Sequence, residues 1–111
     1  MAGEKEIPEK LYFSIGEVSE ITQLPRHVLR FWEDKFPLLH PYKSRGGHRR
    51  YQKRDIELIL TIKDLLYNRG FTVEGARREL QDKRDKRERE VANFNLAWLK
   101  EEIREIIKLL G

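Results

Sequence analysis

Apolar positions recur at helical intervals through most of the chain. Ile15, Val18 and Ile21 are three apart, and Ser14 with Glu17 three residues later makes a capping box, which predicts a short amphipathic helix starting there. Thr22-Gln23-Leu24 reads as a turn. Pro25 suits a first helical position, where its missing N–H leaves no bond unmade, and a second helix should run to about Lys35 with Leu29, Trp32 and Phe36 along one face. Phe31 has no polar group and is expected to pack. Pro37 and Pro41 stop the helix. Farther on, Ile56, Ile59, Leu60, Ile62, Leu65 and Leu66 predict a strongly apolar helix over residues 55–68 that Gly70 terminates. Thr72 then caps a helix whose apolar side is Val73, Ala76 and Leu80.

Between the second and third helices the pattern changes. Residues 40–51, His-Pro-Tyr-Lys-Ser-Arg-Gly-Gly-His-Arg-Arg-Tyr, read as a short hairpin with Gly46-Gly47 near its tip, because paired glycines supply the positive φ that a tight turn needs. Lys43, Arg45, His48, Arg49 and Arg50 surround that tip. A basic hairpin that buries so little points to the phosphate backbone of a nucleic acid. With a helix-turn-helix pattern directly upstream, the two suggest a winged DNA-binding module.

The C-terminal segment follows another rule. Residues 82–90 are nearly all charged, with Asp82–Lys86 and Asp85–Arg89 placed to pair along an exposed helix. Leu96, Leu99, Ile103, Ile106 and Leu110 then repeat at spacings of three, four, three and four, a coiled-coil seam of about two heptads. Val91, Phe94, Trp98 and Ile107 are expected to widen that stripe. A helix from about residue 82 to residue 110 would be roughly 40 Å long, more than a small domain can cover. A second copy of the same helix is the expected partner, in a two-fold homodimer. The organisation is therefore a disordered segment over residues 1–10, a winged helix-turn-helix over 11–81 and a dimerisation helix over 82–111.

Composition narrows the function classes. The 111 residues contain no cysteine, which excludes disulfides, thiolate metal sites and thiol redox sensing. No apolar run approaches the roughly 18 residues of a membrane span, and the first residues lack the apolar stretch of a signal peptide, so a cytoplasmic protein without membrane contact is expected. The net charge is only +4, but residues 21–55 carry nine Lys/Arg against three Asp/Glu. The positive excess thus coincides with the helix-turn-helix and hairpin. No nucleophile–base arrangement, phosphate-binding loop or dinucleotide fingerprint is present, so the chain is not expected to be an enzyme, nor to hold a metal or cofactor.

Over about seventy residues the sequence resembles the DNA-binding domain of the MerR (mercury-resistance regulator) family. The matching pieces are Tyr12-Phe-Ser-Ile-Gly-Glu-Val18, Leu29-Arg-Phe-Trp-Glu33, Gly47-His-Arg-Arg-Tyr51 and Gly70-Phe-Thr-Val-Glu74. The resemblance implies a mainly α fold, a winged helix-turn-helix with a small β-hairpin wing. A long C-terminal helix should follow and pair as an antiparallel coiled coil. It also implies a regulator that binds pseudo-palindromic promoter DNA as a homodimer and distorts it, with RNA polymerase as a further partner at the promoter. Gln23 stands where the family usually has glycine. The cysteines of metal-sensing members and the drug-binding domain of others find no counterpart here, so no effector domain is expected.

Among individual residues, Arg26, His27 and Arg30 fall on the outward side of the second helix. Arg30 matches a DNA-contacting arginine of the family, and Arg26 is the expected reader of guanine. Trp32 should pack its ring inside while its indole N–H reaches a phosphate. Arg49 matches a phosphate-binding arginine and His48 an adjacent contact; Lys43, Arg45 and Arg50 are further candidates. Arg69 could touch the flanking backbone as a second wing. An architectural or excisionase-like DNA-bending protein would use the same module and is the alternative.

Overall fold

The computed structural model describes residues 6–111. In chain order it contains α1 (Ile15–Thr22), α2 (Arg26–Lys35), β1 (Tyr42–Lys43), β2 (Arg49–Arg50), α3 (Lys53–Lys63) and α4 (Val73–Leu110). A π-helical turn over Asp64–Asn68 continues α3. The fold is thus mainly helical with one antiparallel hairpin, in which Tyr42 faces Arg50 and Lys43 faces Arg49. The expected disordered segment lies partly on residues 1–5, outside the described residues; residues 6–10 form neither helix nor strand. The chain divides into two compact units, one through Arg77 and one from Arg78 onward.

In the first unit the capping box forms as its spacing requires. The Glu17 N–H donates to Ser14 Oγ at 3.2 Å, and the Ser14 N–H donates to Glu17 Oε1 at 3.1 Å. Lys10 also pairs with Glu17, and these bonds hold the Glu17 carboxyl below the usual carboxylate value. Two helix starts differ from the sequence expectation. Pro25 is the N-cap of α2 rather than its first helical residue; its backbone is extended and its carbonyl accepts from Val28 and Leu29. α3 begins two residues early, because Gln52 rather than a Ser, Thr, Asp or Asn closes a box with Asp55, its N–H donating to Asp55 Oδ2 at 2.8 Å. The last expected turn of that helix is widened to π geometry, where the Arg69 N–H reaches back to the Asp64 carbonyl.

Helices α1, α2 and α3 meet around Val18, Leu29, Ile56, Ile59 and Ile62, none of which is solvent-exposed. Phe13 joins them through a two-way backbone bridge with Tyr51, with both N–H···O distances at 2.8 Å, so the N-terminal segment pairs with the base of the wing. The turn between α1 and α2 is made by Gln23 in the left-handed region, at φ 58° and ψ 38°. Its side chain folds back to donate to the Glu20 carbonyl at 2.7 Å. The buried Lys63 ammonium donates to the Thr22 carbonyl at 2.8 Å, anchoring the end of α1 from α3.

In the second unit residues 78–110 are helical throughout, so the stretches on either side of residue 82 belong to one unbroken α4. The expected Asp82–Lys86 and Asp85–Arg89 pairs do not form. The charged side chains choose other neighbours: Lys83 with Glu79, Arg84 with Glu88, and Asp85 accepting from Gln81 Nε2. At about 100° per residue, Ile107 lies beside Leu96 and widens the seam. Val91 and Trp98 border its other edge, about 60° and 80° around the helix from Ile106. Phe94 does not: it lies about 120° or more from every residue of the seam, which corrects the expectation that it widens the stripe. These apolar side chains are 48–84% exposed in the single chain.

A left-handed backbone costs a non-glycine residue about 1–2 kcal/mol, while glycine loses part of that advantage through its freer unfolded state. Gln23→Gly should therefore raise stability by about 0.5 kcal/mol, and the β-branched Gln23→Val should lower it by more than about 1 kcal/mol. Thermal unfolding of the two variants beside the parent chain checks both signs.

Candidate nucleic-acid interface

Helix α2 presents two chemically distinct sides. Leu29, Trp32 and the following Phe36 point into the core, and Arg26, His27 and Arg30 are exposed on the other side. Phe31 shares that outer side because it lies about 200° from Leu29. It is 48% exposed, with the Lys35 ammonium 5.5 Å from its ring centre, so the expectation that it packs in the core is corrected. Arg26 lies across the first turn of α1. A β-carbon at Gly16 would come within 2.7 Å of Arg26 Nη2, so the glycine leaves the room that this guanidinium occupies. No motif in the sequence signals that contact, because it depends on how α1 and α2 pack.

The hairpin carries its cations on a tight frame. The Gly47 N–H donates to the Ser44 carbonyl and the Ser44 N–H to that of His48, both at 2.9 Å. Of the two tip glycines only Gly47 takes a positive φ, 79°. Lys43, Arg45, His48 and Arg50 are exposed around this turn. Arg49 is different: strand alternation turns it toward α2, where its Nε donates to Glu33 Oε1 at 2.8 Å. The Tyr51 hydroxyl donates to Glu33 Oε2 at 2.9 Å. The carboxylate raises the Arg49 pKa further, and burial, reinforced by Glu33, pushes the Tyr51 phenol upward.

Trp32, expected to serve both packing and contact, is only 3% exposed. Its ring meets Phe36 and Tyr67 edge-on at centroid distances of 6.3 and 6.2 Å. Arg69 is exposed, with its guanidinium carbon 5.1 Å from the centre of the Phe71 ring. Beside the wing, Tyr12, His40, Tyr42, Lys43 and Arg54 line a shallow groove. His40, Tyr42 and Arg54 were not anticipated, because only the folded hairpin brings them together with Lys43. Among the described residues no group of three or more His, Cys, Asp or Glu could hold a metal ion. No described helix is long and apolar enough to cross a membrane.

A winged helix-turn-helix with this basic surface has counterparts in sequence. The family model described as MerR HTH family regulatory protein matches residues 13–83. The chain belongs to the MerR family. It is a DNA-binding transcription regulator and not an enzyme. Among curated relatives, the HTH-type transcriptional regulator GlnR of Bacillus anthracis is 32% identical over 96 residues, covering 86% of this chain and 67% of GlnR. HmrR of Rhizobium leguminosarum bv. viciae is 31% identical over 101 residues, covering 86% of this chain and 77% of HmrR. MlrA of Escherichia coli matches over a shorter stretch, 36% identical across half of this chain and 23% of its own length.

The fold has solved counterparts too. HiNmlR, a MerR family regulator lacking the sensor domain and bound to promoter DNA, superposes with a TM-score of 0.61 at 19% identity, over 90% of this chain and 79% of that one. A MerR family transcriptional regulator from Bacillus cereus gives 0.57 at 21% identity, over 88% and 76%.

The burial of Trp32 makes its main effect structural. Trp32→Ala should cost about 3–5 kcal/mol of folding stability, whereas Trp32→Phe should retain most of it. Denaturant titration of the MerR-family domain, followed by circular dichroism, measures the difference.

Proposed function

We propose that this MerR-family chain regulates transcription by binding pseudo-palindromic promoter DNA as a homodimer, in the cytoplasm, and distorting the duplex between half-sites. The observation that carries the reading is the juxtaposition of exposed Arg26, His27 and Arg30 on α2 with exposed Lys43, Arg45, His48 and Arg50 on the adjoining wing. A helix of the helix-turn-helix type enters the major groove with its N-terminal residues at base edges, which is where Arg26 and His27 lie in α2. Arg26 is the proposed base reader and His27 its neighbour; Arg30 secures the helix to the backbone. Lys43, Arg45, His48, Arg49 and Arg50 hold flanking phosphates and set register without reading sequence. Arg69 is placed as a second wing on the outer backbone. Trp32 serves chiefly by holding α2 in the core, with any phosphate contact confined to the edge of its indole.

Dimerisation is proposed through α4. Leu96, Leu99, Ile103 and Ile106 are 48–54% exposed and Leu110 is 84% exposed, although their heptad spacing suits burial against a second helix. Antiparallel pairing would place one reading head at each end. Two heads on one face of the DNA can bind together when the intervening duplex bends or untwists, a deformation that costs on the order of a few kcal/mol and is offset by the added contacts. Realigned promoter elements would then be offered to RNA polymerase, the proposed further partner.

Two experiments test the halves of this reading. After preferred duplexes are selected from a random pool, Lys43→Ala should weaken binding to selected and scrambled DNA alike. It should also reduce the salt slope by about one phosphate, whereas Arg26→Ala should chiefly erode the preference. Titrations at several salt concentrations decide between them, and a parent chain that prefers no duplex at low salt removes the reading. For the dimer, Leu99→Asp with Ile103→Asp should give a folded monomer with at least about tenfold weaker binding to the selected duplex. Sedimentation and gel-shift assays report both, and a variant that stays dimeric rejects the seam.

A further inference from the structure

Among the acidic side chains that α2 brings near the wing's cations, Glu33 and Asp34, Glu33 is the one hydrogen-bonded to the hairpin. A carboxylate beside a phosphate-binding surface is electrostatically unfavourable for DNA, yet this one is nearly enclosed: its side chain is 11% exposed. Both of its oxygens face the base of the hairpin: Arg49 Nε lies 2.8 Å from Oε1 and from Oε2, and the Tyr51 hydroxyl donates to Oε2 at 2.9 Å. Charge-assisted bonds of this kind are the stronger and shorter ones, and two on one carboxylate fix an angle as well as a distance.

We propose that Glu33 is a specificity-determining positioning residue, which locks the wing to the recognition helix so that both read the duplex as one rigid body. The inference rests on the DNA-binding reading above. The bond to Arg49 uses Nε, which leaves the terminal guanidinium nitrogens free of that contact, and the Arg49 side chain keeps 29% of its surface exposed. Arg49 therefore bridges two roles, one end held by α2 and the other offered to a phosphate. Tyr51 supplies the second constraint, because its backbone is bridged to Phe13 and its ring is fully buried. The wing cannot swing about its base without breaking a charge-assisted bond at Glu33. Phosphate contacts from a wing held in this way pay off only when α2 is in the correct register on its bases. That coupling turns sequence-blind contacts into part of the discrimination.

The test compares a duplex selected from a random pool with a scrambled duplex, using the full chain. Glu33→Gln keeps the size of the side chain but removes the negative charge that strengthens both bonds, and its Nε2 meets either Arg49 or the Tyr51 hydroxyl as a donor instead of an acceptor. Its affinity for the scrambled duplex should hold or rise, with a salt slope steeper by about one, while the selected-to-scrambled affinity ratio falls about tenfold. Tyr51→Phe removes one bond and leaves the buried ring; its ratio should fall about threefold without a change in salt slope. A ratio unchanged in both variants overturns the proposal, and so does an equal loss on both duplexes, which is what simple destabilisation would give. If Glu33→Gln fails to fold, Tyr51→Phe decides by the same criterion. A parent chain without preference for any selected duplex defeats the underlying DNA-binding reading instead, and is seen before any substitution is made.

Discussion

Tyr51 ties the wing to the rest of the first unit. Its main chain bridges to Phe13 in both directions, its side chain is fully buried, and its hydroxyl reaches Glu33 on α2. Three separate segments are thereby fixed at one residue. A hairpin of two-residue strands would be marginal alone in water. Here the third partner at Phe13 and the tie to α2 replace the strand length that it lacks. The exposed cations of the wing stand on this frame, so their spacing relative to α2 is a property of the core rather than of the turn.

Much of this was legible in the sequence, for identifiable reasons. The Ser14–Glu17 box, the inward triplet Leu29, Trp32 and Phe36, and the glycine tip are signals contained in a few adjacent residues. Gln23 could be named as the turn residue by position, but its left-handed backbone follows from the packing of α1 and α2, with Lys63 holding the Thr22 carbonyl from the far side. For Phe31 the residue type points to packing, whereas its angular position on α2 puts it on the exposed side. The placement of Phe94 on α4 is hidden for a similar reason: it is close to Leu96 in sequence and nearly opposite to it around the helix.

The candidate interface was legible as a set of residue types and not as a network. Basic residues at the hairpin were visible, but nothing in the spacing of Glu33 and Arg49, sixteen positions apart, distinguishes a paired arginine from a free one. The same holds for Gly16 under Arg26 and for Arg54 beside Lys43. Each is a tertiary contact between elements whose separate identities the sequence does reveal. Family membership adds the chemistry of the partner, and the geometry assigns each cation its neighbour.

The bare apolar flank of α4 has a consequence for how such a regulator responds. On the proposed pairing, the species competent for DNA is the assembled two-chain form. At concentrations below the dimer dissociation constant its amount grows with the square of the total protein. Promoter occupancy would then follow synthesis and turnover of the polypeptide steeply, so that cellular abundance itself becomes a graded input.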